Sequence, residues 1–437
     1  MIGLAYALAT LAVMLAGVPI AFALGTVAMV FMLLYMPSAA LDTVTQNVYE
    51  ELASITLLSI PLFILKGAAI GKSPAGKDLY AALHAWMHRI PGGLGIANVV
   101  ACALFAAMAG SSPATCSAIG SAGIPEMRKR GYSPALASGI IAAGGTLGIL
   151  LPPSITMILY SVAAEQSLGR LFLASIVPGV ILMVLFALYA GWRFAGDQRR
   201  LGDRAFVEAP IAWAEKFRLL PRVVPFVVLL LGVMIALYGG YATPSETAGL
   251  GGLLALLLVV LVYGMRRPSQ LSPILAATIR ESTMLMFIIG MSLLYSYVMS
   301  YLHISQSAAQ WIVDQHLSRW ALLAAVLILV AALGFFLPPV SIIVMTASII
   351  LPPLRAAGFN LVWFGVIMTI IMEMGLIHPP VGLNLFVIRS VAPDIPLKQV
   401  IFGVLPFVGL MLLAVTLLCL FPDLSLALPD RVMGARK

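Results

Sequence analysis

Charge is scarce in this 437-residue chain: Asp, Glu, Lys and Arg make up 10% of it, against roughly a quarter in a soluble domain. Hydrophobic residues supply 62%. Such a composition cannot clothe a water-soluble surface, so a length that would otherwise suggest about three soluble domains reads as one bundle of helices in lipid. Cysteine is nearly absent. Cys102, Cys116 and Cys419 lie singly in apolar segments, and no CxxC or Cys/His spacing offers a metal or disulfide framework. Basic residues are missing before Lys66, so no charged n-region marks the first apolar segment as a cleaved signal peptide, and it is expected to be retained. The net charge of +8 sits in short loops between spans rather than on one amphipathic face. Positive-inside topology accounts for it, and no nucleic-acid partner is expected.

What the chain does have is a weak internal repeat. Pro125, Gly131-Tyr132, Gly148 and Pro152-Pro153 return 227 residues later as Pro352, Gly358-Phe359, Gly375 and Pro379-Pro380. Both copies set a double proline inside an apolar stretch. Paired Gly/Pro-interrupted segments in corresponding halves point to the midplane site of a secondary transporter.

The apolar run from Ile2 to Met36 would measure about 52 Å as one helix, beyond a ~30 Å hydrocarbon core. Gly17-Val18-Pro19 divides it. A moderately polar stretch with Asp42, Glu50 and Glu51 precedes an apolar segment over 57–70, and 72–91 reads as a loop carrying Lys72, Lys77, His84, His88 and Arg89. The segment 92–126, broken at Gly110-Ser111-Ser112-Pro113, has a second arm of about a dozen residues, too short to span. It predicts a re-entrant helical hairpin. An interrupted span follows over 135–162, broken at Leu151-Pro152-Pro153-Ser154, and then a span near 171–192. The polar segment 193–222, rich in Arg193, Arg199, Arg200, Arg204, Lys216, Arg218 and Arg222, is the expected cytoplasmic linker between a first half (1–192) and a second (223–422). The second half offers spans near 223–237, 248–263 and 284–302. After them come a hairpin over 320–352, broken at Leu337-Pro338-Pro339, an interrupted span over 361–391, broken at Ile377-His378-Pro379-Pro380, and a closing span over 400–421. Residues 423–437 read as a tail. Counting crossings places the two hairpin bases on opposite sides, so the fold class is all-α, an inverted-repeat membrane bundle with two re-entrant hairpins and two interrupted helices.

Four breaks at one depth carry the chemistry. Proline removes an amide and obstructs the preceding turn, leaving carbonyls free at one half-helix end and N–H groups unbonded at the next. Free carbonyls suit a hard cation such as Na⁺, and positive N-terminal ends suit a carboxylate. Ser112-Pro113 fits an N-cap followed by proline at the first helical position. The hydroxyls of Ser111, Ser112, Thr115, Ser154 and Ser341 either meet a ligand or ion there or bond backward to their own helices. Glu373 has an ion-binding or a structural role. His378 has no partner spacing for a metal or a catalytic triad and reads as a hydrogen-bonding histidine.

These segments resemble a family. Gly110-Ser111-Ser112-Pro113-Ala114-Thr115, Ile124-Pro125-Glu126-Met127, Gly144-Gly145-Thr146-Leu147-Gly148-Ile149 with Pro152-Pro153-Ser154, Tyr241-Ala242-Thr243-Pro244-Ser245-Glu246, and Gly375-Leu376 with Pro379-Pro380-Val381-Gly382-Leu383-Asn384 are similar to signatures of the large, DctM-type membrane subunit of tripartite ATP-independent periplasmic transporters. The resemblance implies an elevator in the bacterial inner membrane, driven by Na⁺ and needing no other cofactor. It further implies two partners, a small four-helix DctQ-type subunit and a DctP-type periplasmic binding protein that delivers a small carboxylate. By the same resemblance, one sodium site draws on Gly110, Ser111, Ser112, Thr146, Gly148 and Ser154, and a second on Leu337, Pro338, Gly375 and His378. Substrate is expected at Ser112, Pro113, Thr115, Pro339, Ser341 and Asn384. The chain departs from the pattern at Pro338, where members often carry an acidic residue, and at His378, where threonine commonly precedes the double proline. Two rival readings remain: a self-sufficient ion-coupled carboxylate carrier of the same superfamily, and an intramembrane hydrolase pairing Ser341 with His378, which would leave the repeat unexplained.

Overall fold

The computed structural model describes residues 2–37, 39–87, 92–201, 212–304, 306–307, 310 and 318–434, and the regular elements among them are helices. Hydrocarbon offers backbone amides no water, so a helix, which pairs them internally, is the form an apolar chain adopts there. Among the described residues five helices are long and apolar enough to cross a membrane: Leu168–Asp197, Pro244–Tyr263, Pro268–Tyr301, Pro339–Ala356 and Leu397–Leu420.

Helices α1 (Ile2–Leu15) and α2 (Ile20–Tyr35) part at Gly17, whose φ of +84° suits glycine. The polar stretch after them is helical as α3 (Ala39–Leu52), ahead of α4 (Ile55–Gly71). The expected loop 72–91 instead contains α5 (Ala75–Met87). Its buried Ala75, Leu79 and Ala82 recur at helical spacing, and burial of that face outweighs the charges on the other. His88 and Arg89 lie outside the described residues.

The first hairpin is α6 (Gly93–Ala109) and α7 (Ser112–Lys129). Its second arm is 18 residues long rather than about a dozen, because α7 continues through Pro125. A proline there forfeits one amide bond, and the basic residues of the last turn favour the helix end. Next come α8 (Pro134–Leu150) and α9 (Ile155–Ala163), bent by 42° at the break. Helix α10 (Leu168–Leu201) outruns its expected span, and α11 (Trp213–Tyr238) starts early. Both ends of the expected linker are therefore helical. Arg193 and Asp197, 2.9 Å apart at i, i+4, support the extension. Residues 202–211, Arg204 among them, lie outside the described residues.

Helix α12 (Pro244–Tyr263) opens on a capping box in which Thr243 and Glu246 bond each other's backbone amides, and α13 (Pro268–Tyr301) follows. The second hairpin is α14 (Arg319–Gly334) and α15 (Pro339–Ala356), which runs past the expected end at 352. Then come α16 (Leu361–Ile377), α17 (Leu383–Val391) and α18 (Leu397–Leu420). The expected tail holds a further helix, α19 (Asp423–Met433), seated on α10 with the Arg170 guanidinium paired to Asp430. Residues 435–437 lie outside the described residues.

The repeat is kept to the residue where it matters. Helices α7 and α15 begin at 112 and 339, α8 and α16 at 134 and 361, each pair 227 apart. The halves are interleaved: α9 packs on the second hairpin's α15, and α17 packs on the first hairpin's α7. Glu165, past the end of α9, borders a cavity with Arg355 and Asn360 at the base of the second hairpin. Asp394, past the end of α17, pairs with Arg128 at the base of the first, 2.5 Å away. The first interrupted helix starts beside its own hairpin's base and ends beside the other's. The two bases therefore face opposite ends of the bundle.

Close seams hold these helices together. A Cβ on Gly139 would sit 2.2 Å from the Gly403 carbonyl oxygen, and one on Gly403 would sit 2.0 Å from that of Ala135, so α8 and α18 meet backbone to backbone. Small residues supply such contacts in lipid, where apolar surface alone drives no association. Helices α1 and α2 share a separate core with the end of α13, built on Tyr6, Phe31, Tyr295 and Val298.

Candidate functional site

Both hairpin tips rest on interrupted helices. At the first, Gly110 ends α6 with a φ of +66°, and its amide donates to the Ala106 carbonyl. Ser111 is the N-cap of α7, and Pro113 lies in the first turn. Gly148 leaves room for this turn, since a Cβ there would lie 3.0 Å from the Ser111 carbonyl oxygen and 3.1 Å from the Ser112 amide. At the second tip the approach is tighter. A Cβ on Gly375 would lie 2.0 Å from the Gly334 carbonyl oxygen.

The side chains sort into three groups. Ser112 and Asn384 are brought together: the Asn384 amide donates to the Ser112 hydroxyl at 2.8 Å and to the Ala142 carbonyl at 3.0 Å. This joins the first hairpin, the first interrupted helix and α17 of the second half. A second group is occupied by its own helix. The Thr115 hydroxyl donates to Ser111, that of Thr146 to Ala143, and the Ser154 hydroxyl accepts the Met157 amide as an N-cap. The third group is buried without a partner: the Ser341 hydroxyl and both carboxyl oxygens of Glu373 make no hydrogen bond.

His378 caps the end of α16. Its Nδ1 lies 2.6 Å from the Pro379 carbonyl, and its ring stacks on Phe335 of the second hairpin tip at 4.5 Å. It makes no bond to Ser341, whose hydroxyl has no partner, so the nucleophile and base that a hydrolase requires are not joined. The Leu337 amide donates to Leu333, Pro338 precedes α15, and Pro339 begins it. Among the described residues no three His, Cys, Asp or Glu side chains gather as a metal cluster. The breaks also leave backbone carbonyls free. Prolines at 152 and 153 withhold the amides that would reach Gly148 and Ile149, and those at 379 and 380 do the same for Gly375 and Leu376.

Residues 8–424 match the family described as "Tripartite ATP-independent periplasmic transporter, DctM component". The chain belongs to this family. It is 37% identical over 402 residues to the C4-dicarboxylate TRAP transporter large permease protein DctM of Pseudomonas aeruginosa, covering 91% of each chain. It is 34% identical over 434 residues to the protein of the same description from Rhodobacter capsulatus, covering 96% of this chain and 97% of the other. The crystal structure of the Alcanivorax borkumensis YdaH transporter shares the fold, with a TM-score of 0.65 at 14% identity over 89% of both chains. Membership of the DctM family makes the chain a transporter subunit and not an enzyme.

Within this DctM-family chain the tertiary structure adds contacts that the motifs leave unmarked. Cys116 lies against Gly145, where a Cβ would meet its sulfur at 2.1 Å, and Gly334 and Phe335 meet Gly375 and His378. Gly334, immediately before the apolar tip of the second hairpin, was the one legible signal. Cys116 and Phe335 read as ordinary apolar residues.

Proposed function

We propose that the chain is the permease subunit of a Na⁺-coupled, binding-protein-dependent importer of a small organic acid in the bacterial inner membrane, working by an elevator movement of the two hairpins and two interrupted helices. The observation that carries this reading is the interleaving of two oppositely directed hairpin and broken-helix units at a shared centre.

Na⁺ fits the donor set. Carbonyl ends at Gly148 and Gly375, deprived of amides by the double prolines, offer neutral oxygen ligands that a hard cation accepts. The N-terminal ends of α7 and α15, with Ser112 and the unpartnered Ser341 hydroxyl, offer N–H and O–H donors to a carboxylate. The relatives described as C4-dicarboxylate permeases favour an organic acid as cargo. The tripartite family description supports two further components, a small DctQ-type membrane subunit and a DctP-type periplasmic binding protein. The exposed apolar stripe of α12, Leu250, Leu253, Leu257 and Leu261, faces lipid or the small subunit.

Vesicles holding all three components, loaded with an inward Na⁺ gradient and supplied with a binding protein charged with its acid, test the reading. Accumulation that collapses when the gradient is removed supports it. Equal accumulation without Na⁺, or uptake by this chain alone, overturns it.

A further inference from the structure

Four charged side chains of the described residues are buried: Lys66, Asp197, Lys216 and Glu373. Asp197 has Arg193, and Lys216 lies over the rings of Trp213 and Trp86, at 4.8 and 5.9 Å. Lys66, at the centre of α4 and 1% exposed, has no carboxylate partner among the described residues. Its ammonium lies 5.3 Å from the Phe63 ring centre and donates, over 3.5 Å, to the carbonyl oxygen of Ala107. Its stem runs along Gly251 of α12, where a Cβ would lie 3.6 Å from the Lys66 Cδ.

Ala107 stands two residues before the end of α6. Had that helix run on, its carbonyl would accept the amide of Ser111, but the chain turns at Gly110 and the carbonyl is one of the orphans of a helix end. A cation is the group best suited to that position, since the carbonyl end of a helix carries partial negative charge. The next residue of α4 meets the same turn: a Cβ on Gly67 would lie 2.2 Å from the Ala109 carbonyl oxygen. Helix α4 thus receives two carbonyls of the last turn of α6, while the other side of the tip rests on Gly148 and on the Pro153 carbonyl.

We propose that Lys66 is a positioning residue for transport. Acting through the Ala107 carbonyl, it seats the tip residues Gly110, Ser111 and Ser112 against α4, a helix outside the two hairpins and two interrupted helices. It does not touch the cargo. The inference rests on the transport reading above, because only there does the placement of this tip govern a rate.

The test compares the complete three-component system carrying the wild-type chain, Lys66→Met and Lys66→Arg. Removing a buried charge that has no carboxylate partner among the described residues spares its desolvation cost, so Lys66→Met keeps or raises the melting temperature of the purified chain. Its maximal uptake rate nonetheless falls about tenfold, from loss of one charged hydrogen bond. The acid and Na⁺ concentrations at half-maximal rate stay unchanged, and Lys66→Arg recovers most of the rate. In purified Lys66→Met, hydrogen exchange at the amides of 108–112 speeds up, a readout that needs no transport. Wild-type uptake by Lys66→Met, a rise in the half-saturating acid concentration, or a rate loss that tracks a fall in melting temperature would overturn the proposal. Absence of uptake by the wild-type system would count against the transport reading, while unchanged exchange at 108–112 in the purified variant would count against Lys66 alone.

Discussion

The Asn384 side-chain amide donates to the Ser112 hydroxyl over 2.8 Å across 272 residues of sequence, and both side chains are fully buried. The bond ties the first turn of the first hairpin's second arm to the short helix that follows the second double proline. The two halves therefore share polar contacts at this point, since Asn384 also donates to the Ala142 carbonyl.

That contact sets the first expectation. Asn384→Ala leaves the buried Ser112 hydroxyl without the donor and the acceptor it finds on Asn384, and burial of an unsatisfied group costs about 1–3 kcal/mol. Thermal melts of Ser112→Ala, Asn384→Ala and the double variant form a cycle. We expect the double variant to lose less than the sum of the singles, and simple additivity would argue against the coupling.

Glycine at the two interrupted helices is required to different degrees. A Cβ at position 375 meets a backbone oxygen at 2.0 Å and has nothing flexible to displace, whereas at 148 the nearest atoms lie 3.0 Å away. Gly375→Ala should fail to give a monodisperse protein in size-exclusion chromatography. Gly148→Ala should fold with a lower melting temperature, at a cost of about 1–3 kcal/mol. The reverse ranking would contradict the packing described here.

Glu373 stands at the position matched by Thr146 in the repeat, yet its carboxyl has no hydrogen-bond partner where the Thr146 hydroxyl bonds Ala143. A buried carboxyl without partners contributes no net stability, so Glu373→Gln should leave the melting temperature unchanged or raised. A loss of more than about 1 kcal/mol would mean that a partner group holds the carboxyl in the folded chain.

The ring of His378 stacks on Phe335, and its Nδ1 is engaged by the Pro379 carbonyl. His378→Phe should keep the stack, with a stability change within about 1 kcal/mol. Phe335→Ala should loosen the second tip, read as faster hydrogen exchange at the amides of 335–337. Because His378 makes no bond to Ser341, an activated serine probe should leave Ser341 unmodified by peptide mass spectrometry.

By itself the sequence determined the solvent of the fold, the helical class and, to within a few residues, where the two hairpins and two interrupted helices break. Composition selects lipid, lipid demands internally paired backbones, and Gly and Pro act on their own few bonds wherever they stand. The 227-residue echo was readable for the same reason, since it is written in residues whose effect is local. What only the tertiary structure decided is which surfaces meet. Amphipathic α5 and α19 were hidden as loop and tail because the periodicity of their buried faces lies under charged residues. The seating of Ala107 on Lys66 and the contact of Gly334 with Gly375 bring together separate helices, and the bond between Ser112 and Asn384 joins helices 272 residues apart. In lipid those seams are chosen by small residues and shape rather than by a hydrophobic contrast that a sequence displays.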